Sequence, residues 1–169
     1  MLPPFNITSW VEEHRHLLKP PVGNQCIVDD DLIVMVVGGP NTRKDYHWEE
    51  GAEFFYQIEG DITVKVIEDG KPKDMHIRQG EMFYLPPRTP HSPQRPAGSI
   101  GLVIERKRAK VELDAFQWYC ESCGNMLYQE TLELTDIVNQ LPPLFARFYS
   151  SSDLCTCKVC GSVMTAPSH

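Results

Sequence analysis

Between residues 26 and 106 the apolar positions come in short runs, rich in β-branched and aromatic residues and broken by Gly, Pro and Asp. The runs predict strands near 32–37 (LIVMVV), 54–58 (FFYQI), 62–67 (ITVKVI), 74–78 (DMHIR), 82–85 (MFYL) and 101–105 (GLVIE), with a Gly-containing turn in EDGKPKD (68–74). Many short strands with frequent turns predict an all-β barrel or sandwich. On either side the texture differs. Residues 9–18 (SWVEEHRHLL) put Trp10, His14, Leu17 and Leu18 on one helical face, with Ser9 and Glu12 at capping-box spacing, and KPPVGN (19–24) stops that helix. After ERKRAK (105–110) the run ETLELTDIVNQL (130–141) has the apolar spacing of a second helix. The change of texture divides the chain into a barrel over 1–110 and a smaller lobe over 111–169.

A length of 169 residues supports one sizeable core with a small appendage. Lys and Arg total 16 against 23 Asp and Glu, a formal charge of −7, which argues against nucleic acid or an anionic membrane as the partner. No apolar run is long enough to span a bilayer, and residues 1–20 carry Glu, His, Arg and Lys where a signal peptide would have an apolar centre. The expectation is a cytoplasmic protein. Five of the six cysteines fall in the last third, which in a reducing compartment points to metal before disulfides.

Glu53 stands directly before the run Phe54-Phe55-Tyr56. A carboxylate entering an apolar strand costs several kcal/mol unless something pairs with it. His47 lies six positions earlier, and His91 follows YLPPRTP after a later strand. Two imidazoles and one carboxylate suit a divalent first-row ion, with open positions for substrate and O2. The plainer reading makes Glu53 an exposed strand end and the histidines ordinary loop residues. Arg43 and Arg95 each sit four residues from one of these histidines and suit a clamp for a substrate carboxylate, since the planar fork binds it bidentately. The plainer reading for Arg43 is an ion pair with Asp45 or Glu49. His14, His16, His76 and His169 have no partner at ligand spacing, and Cys26 reads as a small buried hydrophobe.

The spacing His47-x5-Glu53-x6-Gly60 and Gly80-x5-Pro86-x4-His91 resembles the two motifs of the cupins, small jelly-roll barrels with a metal on the inner wall. Asp45 stands where cupins usually have a further histidine, and Arg88 and Arg95 replace the usual Gly and Asn. The segments LLKPPVGN, VVGGPNTRKDYH, EFFYQIEG, LPPRTPHSPQRP, GLVIER and WYCESCG resemble more narrowly the 3-hydroxyanthranilate 3,4-dioxygenase family of the smaller bacterial or fungal type, from about Phe5 to Cys160. The resemblance implies Fe(II) held by His47, Glu53 and His91. It also implies substrate contacts and catalytic roles at Arg43, Arg95 and Glu105, with Asn24 and Phe55 near the pocket, and a homodimer. The implied reaction opens 3-hydroxyanthranilate with O2 to 2-amino-3-carboxymuconate semialdehyde. The rival readings are a cupin that binds a small molecule without redox chemistry, and a dioxygenase for another ortho-aminophenol or catechol carboxylate.

The tail carries Cys120-x2-Cys123-Gly124 and Cys157-x2-Cys160-Gly161. Two such knuckles are the signal of a tetrahedral four-cysteine site for zinc or for iron in a rubredoxin-like lobe. Cys155 competes with Cys157, and the x2 spacing favours Cys157. The resemblance implies iron here, remote from the chemistry and dispensable to it. A nucleic-acid-binding ribbon is disfavoured, because residues 115–169 hold two basic residues, Arg147 and Lys158, against five acidic ones.

Overall fold

A computed structural model describes residues 3–19 and 23–167, with the side chains of 137 and 138 outside the description. The stop at Pro20–Val22 and the terminal His169 lie outside the described residues. The chain runs α1 (Ile7–His14), a short 3-10 turn, β1 (Asn24–Asp29), β2 (Leu32–Gly38), β3 (Asp45–Trp48), β4 (Glu53–Glu59), β5 (Ile62–Glu68), β6 (Lys71–Ile77), β7 (Met82–Leu85), β8 (His91–Gln94), β9 (Ile100–Arg106), β10 (Asp114–Tyr119), β11 (Met126–Leu132), α2 (Ile137–Ser150) and α3 (Ser152–Cys155).

The strands form two sheets, ordered β1-β2-β9-β4-β7 and β11-β10-β3-β8-β5-β6, and make a cupin-like barrel. Alternation decides what faces inward. Phe55, Val103 and Leu85 from the first sheet meet Ile62, Val64, Val66 and Ile77 from the second in one apolar core. The outward residues of the first sheet are covered at one end by α1, where Val11 packs with Leu18, Val36 and Ile100. Asn6 caps that helix by accepting from the Ser9 amide at 3.0 Å, so it begins before the Ser9 expected from the sequence.

All six expected strands are present, and among the described residues five more join them. The expected turn of EDGKPKD shrinks to Asp69 and Gly70, both at positive φ (50° and 72°), and β6 begins at Lys71. Pro72 is accommodated because β6 is an edge strand. The helix expected over 130–141 is corrected. Residues up to Leu132 pair with β10 as β11, and the helix runs from Ile137 to Ser150. Cross-strand pairing overrides the helical spacing of the first part, and the Asp136 side chain starts the helix by accepting from the Asn139 amide. Leu141, Leu144 and Phe148 of α2 then close on Phe116 and Trp118 of β10, with Trp118 and Phe148 stacked at 4.4 Å.

β10 pairs with β3 along Ala115–Trp118, so residues after 110 extend the same sheet that carries part of the site. Cys26 is also corrected. It is exposed, on an edge strand that shifts register between Cys26 and Val28, and its thiol donates to the Val28 carbonyl at 3.1 Å.

Candidate metal centre

β3 and β8 are short polar strands, and their single register pair is His47 with His91. β4 enters the opposite sheet at Glu53. The barrel therefore presents two histidines from one sheet to one carboxylate from the other, their ligand atoms all within 4.8 Å. Glu53 is 4 % exposed.

Hydrogen bonds at the far side of each ring fix which nitrogen faces inward. His91 Nδ1 donates to the Thr89 carbonyl at 3.1 Å, which turns the Nε2 lone pair toward Glu53 Oε1 at 2.8 Å. His47 Nε2 donates to Asp114 Oδ2 at 2.6 Å, leaving Nδ1 facing Glu53 Oε1 at 3.7 Å. Two lone pairs and a carboxylate repel one another unless a cation lies among them. Ligand bonds of about 2.0–2.2 Å put neighbouring donors roughly 3 Å apart, so the donor set fits a divalent ion. The same carboxylates favour positive charge on the imidazoles. Burial works against a charged His47, but Asp114 and Glu53 outweigh it and raise its pKa to about 9. Burial likewise opposes ionisation of Glu53, and the two histidines nonetheless hold its carboxyl well below the usual range.

Around this centre the barrel is charged. Glu105 stands opposite Glu53 in the register of β9 and β4. Burial, then the Glu53 charge, push its carboxyl above the usual range, while Arg108 Nη1 at 2.8 Å pulls the other way. Arg95 is 2 % exposed, and its Nη1 has no hydrogen-bond partner. Burial lowers its pKa to about 10. Space for this guanidinium exists because residue 101 is glycine; a Cβ there would come 2.5 Å from Gln57 Oε1 and 3.3 Å from Arg95 Nη1. Arg43 is a quarter exposed and paired with Asp45 through Nε and Nη2, the plainer arrangement weighed from the sequence. Phe55 is fully buried, and its ring meets the His91 ring edge-on at 6.3 Å. Asn24 opens β1, with β2 and β9 between it and the strand of Glu53. A cleft of about 500 Å³ between Thr63, His76, Arg78 and Gln94 reaches Arg95 as well.

Two residues of this cluster, Asp114 and Arg108, were not singled out from the sequence, and Glu49, weighed there as a partner of Arg43, instead lies 3.2 Å from Arg108. Asp114 and Arg108 flank a segment read only as a break between lobes. The available signal was an acid directly before the aromatic run of β10, DAFQWY.

The four-cysteine cluster lies in the tail. Cys120 and Cys160 sulfurs are 3.5 Å apart, Cys123 and Cys157 are 3.6 Å apart, and all four group within 4.8 Å. Tetrahedral bonds of about 2.3 Å require sulfurs roughly 3.8 Å apart. The two knuckles repeat each other: Gly124 N donates to Cys120 O and Gly161 N to Cys157 O, with φ of 74° and 77° at the glycines. The Ser162 hydroxyl and amide lower the Cys160 pKa to about 6, which favours the ligating thiolate. Cys155 points elsewhere and donates to the Phe148 carbonyl at 3.3 Å.

A cupin-like barrel with two histidines and a glutamate converging inside, and a separate four-cysteine cluster, defines a protein with two candidate metal centres. The chain belongs to the 3-hydroxyanthranilic acid dioxygenase family, whose model matches residues 1–149. It is 56 % identical over 167 residues to a 3-hydroxyanthranilate 3,4-dioxygenase of Xanthomonas euvesicatoria pv. vesicatoria, covering 99 % of this chain and 95 % of that one. Proteins of the same name from Jannaschia sp. and Shewanella woodyi are 53 % and 50 % identical, each over 94 % of this chain and over 89 % and 85 % of their own lengths.

Proposed function

We propose that the protein is a ring-cleaving dioxygenase that converts 3-hydroxyanthranilate and O2 to 2-amino-3-carboxymuconate semialdehyde, using Fe(II) held by His47, Glu53 and His91. The observation that carries the reading is Arg95: a buried cation with an unpartnered Nη1 inside a barrel whose family acts on an aromatic carboxylate. When bound, the ion supplies a redox-active Lewis acid with open positions, where an electron-rich ring and O2 meet.

The remaining work falls to the protein. Arg95 takes the substrate carboxylate and orients the ring, and Arg43 assists by exchanging part of its contact with Asp45 for that carboxylate. Glu105 accepts the proton of the ring hydroxyl and returns it during cleavage, a task suited to a carboxyl held above its ordinary pKa. Phe55 and Phe116 wall the histidines and keep water from the reacting ring. Asn24 is assigned to the rim of the pocket through the family resemblance.

The cysteine site is proposed to hold iron or zinc for structure rather than chemistry. Among the described residues no helix is long and apolar enough to cross a membrane. A four-cysteine cluster grouped for metal rather than disulfides supports the cytoplasmic setting we propose. A homodimer has a suitable surface at the β7 edge of the first sheet, where Met82 and Tyr84 are 63 % and 57 % exposed.

The deciding experiment is oxygen uptake by anaerobically Fe(II)-loaded protein given 3-hydroxyanthranilate, with His47→Ala as control. One O2 consumed per substrate, with a ring-opened chromophore absent in the variant, supports the reading. No uptake from protein with its barrel iron in place would overturn it.

A further inference from the structure

Arg108 spends its guanidinium on three different carboxylates. Nε donates to Asp114 Oδ1 at 2.7 Å, Nη1 to Glu105 Oε1 at 2.8 Å, and Nη2 lies 3.2 Å from Glu49 Oε2. These partners come from separate places: Glu49 follows β3, Glu105 is the penultimate residue of β9 and Asp114 opens β10. Asp114 is 1 % exposed, and its second oxygen accepts from His47 Nε2. A continuous chain therefore runs Glu105–Arg108–Asp114–His47, joining the proposed proton acceptor to a proposed metal ligand.

We infer that Arg108 is a positioning residue that acts through Asp114 on the metal-facing geometry of His47 while it holds Glu105 against the substrate site. The inference rests on the dioxygenase reading for the role of Glu105, and on the donor geometry alone for His47.

A planar guanidinium fixes its donors in one plane, so shifting one carboxylate shifts the others. Lysine carries the charge but concentrates its donors at one point and cannot span the three sites. Stability alone does not account for the arrangement. One guanidinium serves the three buried carboxylates Glu49, Glu105 and Asp114 close to Glu53, and Glu49 Oε1 has no hydrogen-bond partner. Buried ionic clusters of this kind are commonly no more stable than well-packed apolar residues of the same volume. Ordering ligands for a divalent ion, whose charge favours such a crowd of carboxylates, explains both the carboxylates and their common anchor.

The test uses Arg108→Gln, Arg108→Lys, Asp114→Asn and the double variant Arg108→Gln/Asp114→Asn in the full chain. Fe(II) affinity of the barrel site is read by competition with a ferrous chelator, with retention of metal by the four cysteines as the internal reference for folding. Asp114→Asn is expected to weaken barrel iron by roughly ten- to a hundred-fold, and Arg108→Gln by about ten-fold. The double variant should bind no more weakly than Asp114→Asn, because Arg108 acts through Asp114; independent contributions would multiply instead. Arg108→Gln should also lower kcat more than it raises KM, since Glu105 loses its orientation while Arg95 is untouched. Should Arg108→Gln fail to fold, Arg108→Lys is expected to show both losses in smaller measure. Folded Arg108 variants with unchanged iron affinity, or multiplicative losses in the double variant, would overturn the inference. Inactivity of the wild-type protein toward 3-hydroxyanthranilate sinks the dioxygenase reading instead, and the affinity measurements still decide the link to His47.

Discussion

Glu53 and Glu105 are directly opposed across β4 and β9, two buried carboxylates on one inner wall. Like charges at such a pair destabilise a sheet unless each is compensated separately. The barrel does this with different partners: His47 and His91 for Glu53, Arg108 for Glu105. The separation suits the proposed division, in which Glu53 takes a metal and Glu105 a proton.

Removing the first of them should empty only the barrel. Glu53→Ala is expected to lose catalytic iron while the four cysteines keep their metal, giving about half the metal per chain when both sites are loaded. Metal analysis after gel filtration checks this, and full iron at the barrel would remove Glu53 from the ligand set.

Arg95→Ala should weaken substrate capture without releasing iron. A charge-assisted hydrogen bond contributes about 1.5–3 kcal/mol, so kcat/KM should fall roughly ten- to a hundred-fold. Steady-state kinetics alongside iron content separates this from loss of the metal. Unchanged kinetics would take Arg95 out of the site.

Gly101→Ala tests the same cradle from the other side. Its new Cβ would meet Gln57 Oε1 at 2.5 Å and Arg95 Nη1 at 3.3 Å, so the guanidinium must move. The expected outcome is a raised KM in a folded protein that still binds iron, again read by kinetics and metal analysis.

Cys123→Ser should break the tail site and leave the barrel chemistry. Loss of one thiolate lowers metal affinity at the tetrahedral site and loosens the packing of α3 and the second knuckle. The thermal transition should drop by several degrees, while kcat of iron-loaded protein at low temperature stays near the unmodified value.

Acid should loosen the N-terminal helix through Glu59. Arg15 donates to both its oxygens at 2.8 Å, holding that carboxyl below its ordinary value of 4.5. A carboxylate that is more acidic in the folded chain stabilises the fold above its unfolded pKa and loses that contribution as pH falls through the lower folded one. Glu59→Gln should therefore lower the urea midpoint slightly at pH 7, and match the unmodified protein once pH is well below 4.5. The effect is small because the pair is partly exposed.

The apolar strands were legible because alternation and turn residues are local properties. β4, β5 and β9 follow from their own sequences. The grouping of the candidate donors His47, Glu53 and His91 was legible through spacing, since the polar residues interrupting the strand pattern recur at the intervals of a cupin. β3 and β8 were not, because DYHW and HSPQ lack apolar alternation and are buried by what they hold. The first half of 130–141 misled for the opposite reason: its helical spacing was real, and pairing with β10 outweighed it.

By itself, then, the sequence determined the barrel class, the candidate metal donors and the two cysteine knuckles, all of which are written in residue types at short intervals. Only the tertiary structure decided which groups orient those donors. Asp114 lies 67 positions from His47 in the chain and within hydrogen-bond reach of it in the fold. Arg108 joins three carboxylates that no spacing relates, and Arg95, just past β8, depends on the missing side chain of Gly101 on β9 of the opposite sheet. Such contacts arise when two sheets close on each other, and closure brings together residues that no local period of the chain connects.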